Sequence, residues 1–132
     1  MTDAANSGPV IGWRLDPEQR KELLQQFPPQ FTTVIADHVT LQSGDRALPD
    51  ALHGEIVGRV SDHKGVEAMV VRIDGTTDRP GGGTYHITWS LAEGRHGRES
   101  NAVLAATAWE LFDLPMPVKL EPAAMLTDFV AR

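Results

Sequence analysis

Two stretches of this chain alternate hydrophobic and polar residues in the same way. In Thr84-Tyr85-His86-Ile87-Thr88-Trp89-Ser90-Leu91, the apolar Ile87, Trp89 and Leu91 are two apart, with His86, Thr88 and Ser90 falling outside that set. In Ala36-Asp37-His38-Val39-Thr40-Leu41, Val39 and Leu41 alternate with His38 and Thr40. A period of two marks a β-strand, whose successive side chains point to opposite faces. Each stretch therefore predicts a strand with one face in a core. The opposite face presents an imidazole beside a hydroxyl, and the chain does this twice.

The remaining pattern predicts an α+β domain, mostly an antiparallel sheet with two helices. Residues 10–13 read as a short edge strand. Asp16-Pro17-Glu18 is a helix start, with Asp as N-cap, Pro in the first turn and an acid near the positive helix end. That helix is expected to reach Gln26, with Leu23, Leu24 and Phe27 inward and Arg20 outward, and Pro28-Pro29 stops it. The first motif strand is expected over residues 31–41. Residues 54–60 and 66–73 predict a hairpin turning at Asp62-His63-Lys64-Gly65, its second arm apolar enough for the middle of a sheet. Residues 76–83 read as a mobile loop. A second helix is expected over 102–111, stopped by Pro115 and Pro117, with a short last strand at 118–120. Residues 1–9 read as a disordered lead, 10–125 as one domain and 126–132 as a tail.

Composition narrows the chemistry. The chain has 132 residues and no cysteine, which removes disulfides, thiolate metal sites and a Cys nucleophile. No apolar run is long enough to cross a bilayer, and a cytoplasmic location is expected. The formal charge is −6. That argues against gripping long duplex nucleic acid by its phosphates, but leaves room for a small nucleotide or one RNA end in a pocket. Serine-hydrolase elbows, phosphate loops and dinucleotide fingerprints do not occur.

The paired strands carry coherent chemistry. Two facing imidazoles, one neutral and one protonated, form a base and an acid that work near neutral pH. Hydroxyls on the same face donate to phosphate oxygens. One His deprotonates water while the other protonates the leaving oxygen, so no cofactor or metal is required. Which His takes which role stays open. A zinc site built on His38 and His86 matches no known ligand spacing.

These residues resemble the paired His-x-Thr/Ser motifs of the two-histidine (2H) phosphoesterase superfamily, and most closely the cyclic phosphodiesterase domain of fungal and plant tRNA ligases. Phe27-Pro28-Pro29, the stretch Val66-Glu67-Ala68-Met69-Val70-Val71-Arg72-Ile73-Asp74-Gly75 and Tyr85-His86-Ile87-Thr88 support the likeness, which covers residues 15–91. The resemblance implies a compact bilobal fold with a pseudo-twofold groove. It also implies hydrolysis of a 2′,3′-cyclic phosphate on an RNA end or nucleotide, with His38 and His86 catalytic and Thr40 and Thr88 on the phosphate. The His residues lie only 48 positions apart and Trp89 stands where Leu is commoner, so a trimmed lobe and an altered groove are expected.

Further substrate contacts are expected from Arg79 with Gly81–Gly83 as a lid, from Arg95, His96 and Arg98, and from Tyr85 stacking on a base. Trp89 belongs to the core set, and His53 and His63 read as surface residues. The alternative is a non-catalytic module that binds a nucleotide or RNA terminus in the same groove.

Overall fold

The computed structural model describes residues 9–44 and 46–126. Of the expected lead and tail, all but Pro9 and Leu126 lie outside the described residues. Seven strands form one sheet: β1 (Pro9–Leu15), β2 (Thr33–Val34), β3 (His38–Ser43), β4 (His53–Ser61), β5 (Val66–Arg72), β6 (His86–Leu91) and β7 (Glu110–Leu126). Helix α1 covers Pro17–Gln26, and a 3₁₀ turn at Gly97–Glu99 leads into α2, Ser100–Ala106. The strand order is β2-β6-β5-β4-β7-β1-β3, and every pairing is antiparallel. The α+β class with a mostly antiparallel sheet and two helices is therefore observed. Among the described residues no helix is long and apolar enough to cross a membrane.

The two outermost strands, β2 and β3, are consecutive in the chain, with only residues 35–37 between them. Three residues span at most about 10 Å, so the sheet must curl until its edges meet. Backbone hydrogen bonds from Ile35 N to Trp89 O (3.0 Å) and from Ala36 N to Thr88 O (2.9 Å) extend the pairing with β6 up to the bend. The chain then crosses to β1. The expected single strand over 31–41 is thus broken in two. The break is at Ala36, whose φ of 43° is left-handed. Arg20 holds the bend, donating from Nε to Ala36 O (2.7 Å) and from Nη2 to Ile35 O (3.1 Å). The expectation that Arg20 faces outward is corrected by these contacts.

Helix α1 begins as its sequence requires. Asp16 accepts from Gln19 N at 3.0 Å and Pro17 opens the first turn. Strand β1 lies between β7 and β3 rather than at an edge. Gly12 is obligatory there, because a Cβ would stand 2.1 Å from Val39 O. The hairpin of β4 and β5 turns at the expected place, with Asp62 Oδ1 accepting from the amides of Lys64, Gly65 and Val66.

The C-terminal part departs most from expectation. Helix α2 ends at Ala106, and β7 runs for 17 residues rather than three. Its first part pairs with β4 and its second with β1. The register jumps from Met116 to Leu111 opposite Ile56 and Gly58, so Pro115 falls in an unpaired bulge. Pro117 and Pro122 each face one neighbouring strand, which leaves a side of the ladder where no N–H is required.

Two apolar clusters sandwich the sheet. Trp13, Val39, Ile56, Met69, Ile87 and Trp89 belong to one, and Val60, Ala68, Val70, Val103 and Leu104 to the other, beneath α2. A buried polar anchor joins them to the segment after α1. Glu67, fully buried, accepts from Ser90 Oγ (2.7 Å) and Gln30 N (3.0 Å) and pairs with Arg59.

Candidate functional site

His38 opens β3 and His86 opens β6, on the two sides of the bend that closes the sheet. Val39 and Ile87 turn into the first apolar cluster, so His38, Thr40, His86 and Thr88 face away from it. Backbone hydrogen bonds from Ile35 N to Trp89 O and from Ala36 N to Thr88 O bring the start of β3 beside the His86 strand.

Their surroundings differ. His38 Nδ1 lies 3.2 Å from Asp37 Oδ2. A carboxylate only accepts, so Nδ1 carries the hydrogen. The same oxygen takes Arg14 Nη1 at 3.3 Å. The hydrogen bond from His38 is the largest influence on Asp37, and with the charges of His38, Arg14 and Arg20 it holds the carboxyl below its usual range despite partial burial. His38 is thus an imidazole backed by an ionised carboxylate.

His86 is buried and donates from Nδ1 to Thr84 O at 2.8 Å. A carbonyl also only accepts, so a neutral His86 keeps its lone pair on Nε2. Burial pushes its pKa down to about 4, with Arg79 and His38 adding repulsion and the Thr84 hydrogen bond opposing. Near neutral pH, His86 is therefore a neutral acceptor through Nε2, whereas His38 donates from Nδ1 to a carboxylate.

The hydroxyls also diverge. Thr40 is half-buried beside His38, opposite Gly12 of β1. Thr88 is buried under the 3₁₀ turn and α2, donating to Gly97 O (3.3 Å) and sharing a 2.9 Å hydrogen bond with buried Ser100 Oγ. The expected open face of β6 is closed, because every residue of that strand is buried.

Arg79 brings positive charge towards His86. The loop over residues 79–83 curls around its guanidinium, with Nε donating to Gly82 O (3.1 Å) and Nη2 to Asn101 Oδ1 (2.9 Å). The φ of Gly83 is +83°, in the left-handed region that favours glycine, and its missing Cβ leaves room for Arg79 Nη2. Burial lowers the Arg79 pKa. The loop expected to be mobile is thus tied to α2 through this arginine.

The other candidates lie elsewhere. Arg95 is spent on the hairpin turn and the 3₁₀ turn, bonded to Asp62 Oδ2 (3.1 Å), Lys64 O (3.1 Å) and Glu99 Oε1 (3.0 Å from Nε). Arg98 is exposed within the 3₁₀ turn. Tyr85 packs edge-on against Trp13 with ring centroids 5.8 Å apart, so its ring belongs to the core instead of a base-stacking face. His53 is exposed at the start of β4 and His63 sits in the turn with a φ of 56°. Among the described residues no three His, Asp or Glu converge on a point.

Sequence reasoning missed Asp37, Arg14, Arg20 and Ser100. Asp37 alone had a signal, being adjacent to His38; the others reach the site across the fold. No protein-family model, curated protein or solved structure matches the chain.

Proposed function

We propose that this protein is a metal-independent phosphodiesterase of the two-histidine type that opens 2′,3′-cyclic phosphates, with the junction of β3 and β6 at the Ala36 bend as the counterpart of that superfamily's pseudo-twofold groove in its bilobal fold. One observation carries the reading. Two His-x-Thr strands from distant parts of the chain sit on either side of one bend, which backbone hydrogen bonds from Ile35 and Ala36 tie to the His86 strand.

The unlike surroundings of the two rings support an assignment of roles. His86 Nε2 accepts a proton from water as that oxygen attacks phosphorus. The P–O bond to one ribose oxygen breaks, and His38 Nε2–H delivers its proton to that oxygen. Asp37 sustains the imidazolium of His38 before transfer. Thr40 and Arg79 hold the non-bridging oxygens. Thr88, occupied with Gly97 and Ser100, holds the 3₁₀ turn against β6 and reaches phosphate only on releasing them.

The test is turnover of a 2′,3′-cyclic nucleotide by the wild type, His38→Ala and His86→Ala. Each substitution is expected to remove roughly 10²–10⁴-fold in rate with folding retained. Undiminished turnover in either variant, or none in the wild type, overturns the reading. The burial of His86 and the engaged hydroxyl of Thr88 favour a second reading, a module that holds a nucleotide or RNA terminus without turnover. It predicts saturable binding of a 3′-phosphorylated nucleotide by a protein that leaves cyclic phosphates intact.

A further inference from the structure

The face of the sheet that presents His38 continues beyond it. Arg14 pairs with His38 across β1 and β3, and Glu121 pairs with Arg14 across β1 and β7. Lys119 follows two residues earlier on β7, and His53 is its partner on β4. Paired residues and residues two apart share a face. His38, Arg14, Glu121, Lys119 and His53 therefore form a diagonal across four strands, all on the side opposite the first core cluster. The inward residues between them, Leu15, Val118 and Leu120, are buried in that cluster.

A cavity of about 440 Å³ opens along this diagonal, between the start of α1 and the β4–β7 pair. Its walls include Arg14, Lys119, Glu121, His53, Leu52 and Pro122. The volume is within the range of about 300–1,000 Å³ usual for small-molecule sites. Arg14 belongs to both places: it lines the cavity and touches the carboxylate that serves His38. With neighbouring strands about 4.8 Å apart, the β7 side of the cavity lies roughly two strand spacings, about 10 Å, from the His38 strand.

We propose that this cavity is a subsite for the nucleotide that precedes the terminal cyclic phosphate, so that the substrate is a single-stranded RNA end and not a free cyclic mononucleotide. The proposal rests on the hydrolase reading above for its catalytic centre. Its chemistry is matched to one nucleotide unit. Arg14 and Lys119 supply positive charge for the next phosphodiester. The Glu121 carboxylate accepts from ribose hydroxyls. Leu52 and Pro122 offer apolar surface to a base. The site is small and mixed in charge, which suits one unit of a flexible strand and not a duplex backbone, in keeping with a chain of formal charge −6.

The experiment compares kcat/KM for a 2′,3′-cyclic mononucleotide with that for a trinucleotide bearing the same terminus, in the wild type and in Lys119→Gln. The Lys119 amide is fixed by Gln19 Oε1 at 2.7 Å, so the substitution leaves β7 anchored. The wild type is expected to prefer the trinucleotide. Lys119→Gln is expected to lose about tenfold on the trinucleotide, the worth of one charged contact, and nothing on the mononucleotide. No preference in the wild type, or equal loss on both substrates, overturns the subsite. A parallel NMR titration with a 3′-phosphorylated trinucleotide needs no turnover. If neither cyclic phosphate is hydrolysed yet the Lys119 and His53 amides shift, the subsite stands and the hydrolase reading falls. If those amides stay still, the subsite falls whatever the turnover.

Discussion

Strands β3 and β6 carry the same His, β-branched, Thr, large-apolar pattern into unlike surroundings. On β3 the imidazole, its side chain 11% exposed, is backed by the Asp37 carboxylate and, through it, by Arg14. On β6 the imidazole is buried, backed by the Thr84 carbonyl and beside the Arg79 side. A carboxylate stabilises an imidazolium; burial next to a cation stabilises the neutral ring. One repeated motif thus meets two unlike environments. Alternation set the face on which each ring stands, and the neighbours set its hydrogen-bond partner.

Three experiments, from the largest expected effect on stability to the smallest, sharpen this contrast. The first concerns the His86 side. A buried neutral imidazole with a pKa of about 4, against 6.5 unfolded, binds fewer protons than the unfolded chain between those values. Stability therefore rises with pH across that window, is complete above 6.5, and falls as pH drops towards 4. The expected loss is on the order of 3 kcal/mol. Denaturant titrations at a series of pH values measure it, and His86→Gln should flatten the slope. An unchanged slope in that variant would place the titrating group elsewhere.

The second concerns the bend that makes β3 and β6 neighbours. Arg20→Met removes two charged donors from the Ile35 and Ala36 carbonyls while keeping an apolar stem over them. A loss of about 2 kcal/mol is expected from chemical denaturation, together with a fall in turnover greater than the stability loss explains. A variant with normal turnover would show that the left-handed Ala36 bend holds without Arg20.

The third separates the two rings by chemistry with little change in fold. Asp37→Asn keeps the shape beside His38 but removes its negative charge. Turnover is expected to fall about tenfold with KM little changed. Unchanged turnover would place the proton donor elsewhere. The His86 side admits no matching substitution, since its partner is backbone.

The legibility of the fold followed the range of the forces involved. Helix α1, the β4–β5 hairpin and the motif strands rest on local signals: the Asp16 cap, Pro17, Gly65 and alternation within six residues. The length of β7 was hidden because Pro115 and Pro117 read as breakers. They are accommodated by a bulge and by single-sided pairing, which only the neighbouring strands determine. The same holds for Tyr85 and Arg95. Each is polar and near the motif, yet one packs on Trp13 and the other ties two turns together.

By itself the sequence determined the class of element, the spacing of the two His-x-Thr motifs and which side chains share a face, because the pleat of a strand is a property of a few consecutive residues. Tertiary structure alone decided that β2 and β3 close the sheet at a left-handed Ala36, that Thr88 is covered by Ser100, and that one imidazole gains a carboxylate while the other is buried. Proton affinity is set by desolvation and by charges brought close in space, and those are fixed only when distant segments pack.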